Sequence, residues 1–499
     1  KRETERYLRE ALKYSNASFL CFHNRVMKLK KTKTRLIFEQ VEILEAASEG
    51  NCVAKVDDLV VFVPFVVPGD VVDLEVYRKK KNFAQAKAVK FHKYSPLRVE
   101  PLCEHFTICG GCKWQTMNYE SQVFYKQKQV RDNLERIAKA DCSLMLPILP
   151  SEKTSEYRNK LEYTFSTKAW VENYDKTMPA QGAFGFHVPG FFDKVLDIKY
   201  CALQREPSNE IRNHLRTYCN EHALPYYDIR NHEGFMRNLI IRTSSTGDLM
   251  VIVVFASQSE DIFPLLEDLK SNFPQITSLM YCINEKFNDT LGDQNIILYA
   301  GKDFMEERME AFDGGEALRF KIRPKTFYQT NSRQAERLYH QAAEFAEITK
   351  QDTVYDLYTG CGTIANYVAR SAKKVVGVEY VEDAVEDARL NAGYNGINNA
   401  VFHAGDMAKI LNDDFVSQNG RPEIIITDPP RAGMAESVVK QILKISPRKI
   451  VYISCNPATQ ARDIFLLKEK YNVGRVRPVD MFPHTQHVEN VVELILKQD

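Results

Sequence analysis

Several things are scarce in this 499-residue chain. No apolar run approaches the roughly 18 residues that span a bilayer, so no membrane segment is expected. No apolar stretch follows the charged opening Lys1-Arg-Glu-Thr-Glu-Arg6, so no secretion signal is expected and the cytoplasm is the expected compartment. Net charge is almost absent at +1, which leaves whole-chain charge silent on a polyanionic partner. An odd number of cysteines, eleven, in a chain without an export signal excludes a disulfide framework as the organising device. Metal ligation or catalysis is then the better use for clustered cysteines. The isolated ones (Cys21, Cys52, Cys142, Cys219 and Cys282) are expected as small buried hydrophobes.

What is present is ordinary for a globular protein, 44% hydrophobic and 27% charged, in a length that suggests about three domains. Charge is unevenly distributed. Residues 1–40 hold eleven Lys/Arg against four Glu, and residues 77–93 hold seven Lys/Arg and no acid. Such local patches suit a phosphate backbone, and equally a solvated face. Residues 1–35 read as a basic extension. Residues 36–94 carry short β-like runs (Leu36–Leu44, Asp58–Val63, Asp70–Arg78, Phe83–Phe91) with a Pro68-Gly69-Asp70 turn, a pattern that predicts a small OB-like barrel. The basic loop Arg78–Lys81 would suit single-stranded nucleic acid on such a barrel.

Residues 95–320 are mixed α+β without repeats, with strands at Leu161–Thr167 and Leu249–Phe255 and a helix over Tyr119–Ile137. From 321 to 499 strand and helix alternate. Thr353–Leu357, Lys374–Val378, Val401–His403, Glu423–Thr427 and Lys449–Ser454 are apolar runs of strand length. Helical stretches lie between them, predicting a doubly wound, Rossmann-like α/β sheet.

The first βα unit reads Val354-Tyr-Asp-Leu-Tyr-Thr-Gly-Cys-Gly-Thr363. Its two glycines permit a tight turn and close approach of a ligand, but the third glycine of a dinucleotide fingerprint is missing. No Walker lysine follows, which disfavours a nucleoside triphosphate. Glu379, twenty-three residues after Asp356, ends the second strand, where an acid can bind ribose hydroxyls. Asp406, after the third strand, could serve the adenine end. The arrangement resembles the class I S-adenosylmethionine-dependent methyltransferases.

The fourth strand ends in Asp428-Pro-Pro-Arg431, whose prolines stiffen the loop at the ligand-binding edge. Amino-methyltransferases usually carry an aromatic residue after Pro-Pro, and Arg431 stands there instead. The fifth strand ends in Ser454-Cys455-Asn456-Pro457. A cysteine there, before a helix start and on the edge that holds the cofactor turn, is where a thiolate can be exposed and have its pKa lowered. Glu489, just before the apolar run Val491–Leu496, offers a base.

Six motifs in one order carry a resemblance over about residues 36–499. They are Cys103-x5-Cys109-Gly-Gly-Cys112, Phe327-Tyr-Gln329-Thr-Asn331, Asp356-Leu-Tyr358, Asp428-Pro-Pro-Arg431, Ser454-Cys455-Asn-Pro457 and His487-Val-Glu489. The chain resembles the RNA 5-methyluridine (uracil-C5) methyltransferases, and among them most closely the bacterial enzymes acting on 23S rRNA. The resemblance implies that residues 36–94 are a TRAM domain and that 95–320 hold a [4Fe–4S] cluster. It implies that 321–499 are an S-adenosylmethionine-dependent methyltransferase domain. It makes Cys455 the nucleophile that adds to uracil C6 and Glu489 the acceptor of the C5 proton. Gln329, Tyr358, Glu379 and Asp428 are implied to contact the cofactor or the target base. Thr363 and Asp406 fall where some relatives have asparagine. The basic and aromatic segments Tyr157–Lys160 and Gly182–Phe192 are implied to lie on the RNA-binding face.

Spacing alone makes Cys103, Cys109 and Cys112 ligands for zinc as readily as for iron–sulfur. The resemblance supplies Cys201 as the fourth ligand and iron–sulfur as the occupant, structural or RNA-positioning in role. The expected partner is RNA, rRNA before tRNA, and the expected state is a monomer. Cytosine-C5 enzymes acting on RNA usually carry their cysteine near the fourth-strand motif, and Asp428-Pro-Pro-Arg431 has none. A non-catalytic RNA-binding protein is the remaining alternative, which the pairing of Cys455 with Glu489 opposes.

Overall fold

A computed structural model describes residues 36–172 and 182–498. The basic extension expected over residues 1–35, with Cys21, lies outside the described residues. By its contacts the chain divides into two units: the described residues up to Glu45 with Cys52–Ser95, and Ala46–Asn51 with the remainder from Pro96.

The first unit is a closed barrel. Its strands β1 (Ile37–Ala46), β2 (Cys52–Val56), β3 (Leu59–Val63), β4 (Val71–Lys79) and β5 (Phe83–Lys93) are joined in the order β1-β2-β3-β5-β4, with β4 returning to β1. Alternate residues face inward, so Val61, Val63, Val72, Leu74, Ala84 and Ala86 are fully buried. The Pro68-Gly69-Asp70 turn is real. The buried Asp70 carboxylate accepts the Val67 N–H at 2.7 Å and the Ser95 N–H at 2.9 Å, and Gly69 takes φ +91°. Arg78 and Lys79 end β4, and Lys80 and Lys81 open the turn to β5, all four exposed.

The second unit begins with the helix Tyr119–Asn133, capped by the Asn118 side chain on the Ser121 N–H. A seven-stranded sheet follows in the order β12-β11-β10-β9-β6-β7-β8. Its strands are β6 (Lys160–Ser166), β7 (Ala183–His187), β8 (Val195–Asp197), β9 (Met236–Thr243), β10 (Leu249–Phe255), β11 (Ser278–Ile283) and β12 (Ile296–Gly301). Every residue of β9 and β10 is buried, because both faces are covered. One face packs on the helices Ser208–Glu221 and Ile262–Asn272. The other gives Ile240, Met250, Ile252 and Met280 to a core shared with the hairpin β13 (Met305–Met309)–β14 (Leu318–Ile322) and the last sheet.

That last sheet contains β15 (Thr353–Leu357), β16 (Lys374–Glu379), β17 (Ala400–Ala404), β18 (Ile424–Thr427), β19 (Lys449–Ser454), β20 (Tyr471–Val479) and β21 (Glu489–Leu496). Its order is β17-β16-β15-β18-β19-β21-β20. β15 to β19 are parallel, and β21 runs antiparallel between β19 and β20. Its strands are continuous apolar runs because helices cover both faces. Val354, Ile426 and Val451 point to one core, and Tyr355, Ile425 and Tyr452 to the other. The order reverses between β15 and β18, and the carboxyl ends of strands beside such a reversal are where open α/β sheets bind ligands. Among the described residues no helix is long and apolar enough to cross a membrane.

Candidate active site

The turn after β15 is built by one buried acid. The Asp356 carboxylate accepts the Thr359 hydroxyl at 2.5 Å and the Ala365 N–H at 2.9 Å, folding Tyr358–Gly362 back onto the helix Thr363–Ala369. Burial, with the Glu379 charge nearby, pushes Asp356 up to about 7. Gly362 has φ +77°, and a Cβ there would stand 2.8 Å from the Ala388 Cβ. Glu379, at the end of β16, clasps the same turn. Its two oxygens accept N–H groups of Gly360 at 3.1 Å, Tyr380 at 2.8 Å and Val381 at 3.1 Å. Asp406 caps the short helix Met407–Ile410 through the Ala408 N–H at 3.0 Å. Tyr358, held at φ +65°, is pushed up to about 12 by burial and by the charges of Asp463, Asp406 and Glu379. Tyr358, Glu379 and Asp406 thus sit together at the ends of β15, β16 and β17. Thr363 is buried, and its hydroxyl lies 3.3 Å from the Cys361 thiol.

On the other side of β15 a cavity of about 830 Å³ opens at the ends of β18, β19 and β21. Gln329, Asp428, Arg431, Cys455, His487 and Glu489 line it, and so do Cys103, Cys109, Cys112 and Cys201. Two local devices fix Cys455. Asn456 caps the helix Pro457–Leu467 by accepting the Ala458 N–H, and its amide donates to the Arg431 carbonyl at 3.1 Å. Gln460 from that helix donates to the carbonyls of Tyr452 and Asn490, clamping β19 to β21. In that pairing Ser454 faces Asn490, so Cys455 and Glu489 are the next pair outward.

The field in this cavity opposes negative charge. The Cys455 thiol is not lowered by the helix start as expected: burial, and then the charges of Glu489 and Asp428, push it up to about 12, against an opposing pull from the Arg431 guanidinium. Burial and the Asp428 charge likewise raise Glu489 above the ordinary carboxylate range. Asp428 is raised by burial and by Asp356. Acids held this way are strong bases once ionised, and they favour a cationic ligand beside them.

The four clustered cysteines share one wall. Cys103 accepts the Phe106 N–H through its carbonyl, Cys109 donates to the His105 carbonyl at 2.9 Å, and the Cys201 N–H donates to Asn209 at 2.8 Å. No disulfide joins them. Burial raises all four thiols, Cys112 to about 12 and Cys201 to about 11, and the thiols also raise one another. Among the described residues no group of three or more His, Cys, Asp or Glu side chains is drawn together closely enough to hold a metal ion. The set is four soft donors within electrostatic reach of each other, facing a cavity, which fits a thiolate-ligated group in chemistry.

Sequence patterns left three contributors unassigned. The Phe327 ring, 72% exposed, stands at the cavity wall. Arg242, fully buried, donates to the carbonyls of Arg323, Pro324 and Thr326 and so holds the loop that carries Gln329. Lys126 pairs with Asp480 at 2.6 Å beneath the loop that leads to Glu489. Only their burial reveals these last two, and a helix Lys or a strand Arg gives no sign of it in sequence.

A parallel sheet closed by an antiparallel β20–β21 pair, with a glycine turn after β15 and acids ending the next two strands, is the fold of the S-adenosylmethionine-dependent methyltransferases. Comparison with known proteins narrows the class. The tRNA (Uracil-5-)-methyltransferase family profile matches residues 291–497, and the TRAM domain profile matches residues 39–89. An uncharacterised RNA methyltransferase of Bacteroides thetaiotaomicron is 56% identical over 90% of this chain and its whole length. One of Porphyromonas gingivalis is 53% identical over 91% of this chain and 99% of its own. The crystal structure of the Pyrococcus abyssi tRNA (uracil-54, C5)-methyltransferase with S-adenosyl-L-homocysteine is 28% identical. It covers 91% of this chain and all of that one, with a TM-score of 0.70. The chain belongs to the RNA uracil-5-methyltransferase family.

Proposed function

We propose that the chain transfers a methyl group from S-adenosylmethionine to C5 of a uridine in RNA, with Cys455 as nucleophile and Glu489 as proton acceptor. The observation that carries this reading is the β19–β21 register, Ser454 facing Asn490, with thiol and carboxyl on one cavity wall.

Uracil C5 is a poor nucleophile. Addition of the Cys455 thiolate to C6 moves an electron pair toward C5 and O4, so that C5 attacks the methyl group and the methyl–sulfur bond breaks, the pair going to the sulfur of departing S-adenosylhomocysteine. Glu489 then removes the C5 proton, the C5–C6 double bond re-forms, and the C6–S bond breaks to release Cys455. The cofactor supplies an electrophilic methyl on a positively charged sulfur. Tyr358, Glu379 and Asp406 would hold it across the β15–β17 ends, with Gln329 and Asp428 reaching it or the base. Thr363 would contribute backbone, since its hydroxyl faces Cys361. A uridine in structured RNA must turn out of its stack to enter the cavity, and the exposed Phe327 ring offers it a face.

The four thiols of Cys103, Cys109, Cys112 and Cys201 are read as ligands of a [4Fe–4S] cluster with a structural or RNA-positioning role. Cys-x5-Cys-x2-Cys spacing and four soft donors support this. The substrate is read as 23S rRNA. The likeness to a tRNA uracil-54 enzyme favours tRNA as the second reading.

The test is a covalent trap. RNA containing 5-fluorouridine, in which fluorine blocks the final elimination, is incubated with protein and cofactor. A protein–RNA adduct that disappears in Cys455→Ser is the expected result, and rRNA and tRNA fragments are compared directly. No adduct with either RNA would leave a binding protein instead.

A further inference from the structure

Beside the catalytic cavity lies a second, smaller cleft of about 160 Å³. Lys153, Arg158, Arg205 and Arg333 line it, against the carboxylates of Glu152 and Glu156. Arg333 is spent on Glu152 at 2.6 Å. Among the described residues Lys153, Arg158 and Arg205 have no ion-pair partner. The Arg158 guanidinium donates to the Lys160 carbonyl and that of Arg205 to the Ser244 carbonyl, so three cations face this concave surface against one further carboxylate, Glu156. The Ser332 hydroxyl on the same wall is donated to Glu307 at 2.7 Å and the Ser245 hydroxyl to the Arg308 carbonyl at 3.4 Å, which leaves the cations as the donors for a ligand.

The cleft is continuous with the reaction site. Arg158 lines both spaces. The neighbouring Asn159 donates to the carbonyl of Gln329 at 2.9 Å and to the Ser332 hydroxyl at 2.7 Å, so one short segment forms the partition. A polymer with one residue in the catalytic cavity can continue past Arg158 into this cleft. Cations in excess of carboxylates along that exit match a phosphodiester backbone, which carries one charge per residue and needs no sequence readout.

We propose that the Lys153–Arg158–Arg205 cleft binds a backbone phosphate of the RNA strand beside the target nucleotide. This rests on the reading of RNA as the substrate, and it assigns to that substrate a contact outside the catalytic cavity.

The test uses the full chain and a short RNA hairpin with one loop uridine, with affinity read across a salt series. Lys153→Gln and Arg205→Gln, alone and together, are compared with Lys153→Arg. Lys153 is exposed, so its replacement leaves packing untouched. Each lost charge is expected to weaken binding roughly three- to tenfold at low salt, as for a charge-assisted contact. Each is also expected to make the slope of log affinity against log salt shallower by about 0.7. The effect should be equal for a hairpin carrying cytidine in place of uridine, and Lys153→Arg should keep the wild-type slope. Unchanged slopes in the double variant overturn the cleft, and do so even where wild type forms the fluorouridine adduct. Shallower slopes in a protein that forms no adduct support the cleft and overturn the proposed chemistry instead.

Discussion

Lys126 bonds Asp480 at 2.6 Å with neither side chain exposed to solvent. The ammonium also donates to the Phe482 carbonyl at 3.0 Å, while Asp480 accepts the Tyr119 hydroxyl at 2.8 Å and the Phe482 N–H at 3.1 Å. Four residues on, the His484 N–H donates to Gln122 at 2.8 Å, and its carbonyl accepts from Lys113 and Trp114. The loop from β20 to Glu489 is therefore sewn to the helix Tyr119–Asn133 and to the segment that follows Cys112.

Breaking this pair should cost far more than a surface ion pair. Asp480→Asn or Lys126→Met leaves one buried charge without its partner, and each is expected to destabilise the protein by about 3–5 kcal/mol. The double variant Lys126→Met/Asp480→Leu removes both charges and should recover part of that loss. Urea unfolding of the three variants checks this, and a double variant as unstable as the sum of the singles would refute it.

The pH dependence of Cys455 alkylation follows from its surroundings. Thiolate is scarce near neutrality because burial and the charges of Glu489 and Asp428 raise the thiol, so iodoacetamide should react faster as pH rises. Glu489→Gln removes one of those charges. The alkylation profile should then move to lower pH by about one unit, although the variant lacks the proposed base. Arg431→Gln should move it the opposite way, because the guanidinium favours the thiolate. A profile indifferent to both substitutions would show that the three groups do not share one field.

Much of this was legible in sequence where chemistry is local. β15 and β19 run Thr353–Leu357 and Lys449–Ser454 as expected, because a strand buried on both faces is an uninterrupted apolar run. Asn456-Pro457 announced the helix start after Cys455. The strand Cys52–Val56 was not named, since Lys55 interrupts so short a run. Two strands of the central sheet were legible, Leu161–Thr167 as β6 and Leu249–Phe255 as β10, but their neighbours were not. β6 pairs with β9 about eighty residues away, a relationship no local pattern carries. Glu489 was expected just before its strand and is its first residue, which is what fixes it beside Cys455. Nor does a pattern say which way a helix-start side chain points, and Thr363 turns toward Cys361.

Glu379 has a second duty that separates two effects of its loss. Its carboxylate accepts three backbone N–H groups around the cofactor turn, so Glu379→Ala leaves Gly360, Tyr380 and Val381 without that acceptor. Affinity for S-adenosyl-L-homocysteine, read by calorimetry, should fall at least about tenfold, the equivalent of one charge-assisted hydrogen bond. Glu379→Gln, which keeps an acceptor oxygen, should lose less. Equal affinities for wild type and Glu379→Ala would remove the acid from the cofactor site.

Burial and mutual repulsion raise the thiols of Cys103, Cys109, Cys112 and Cys201, so only a bound cation would hold them as thiolates, and the last prediction concerns the proposed cluster. Protein prepared without oxygen should carry iron and sulfide with broad visible absorbance, and Cys201→Ser should lose both. Colourless protein containing zinc would overturn the iron–sulfur reading while leaving the ligands in place. Lys113 and Trp114, just after Cys112, both donate to the His484 carbonyl. Chelation should therefore loosen the loop that carries Glu489 as well as the thiol segment. Lower thermal stability together with slower adduct formation on fluorouridine RNA is the expected pair of results. Loss of colour with an unchanged rate of adduct formation would mean that the thiol segment and the base loop are mechanically independent.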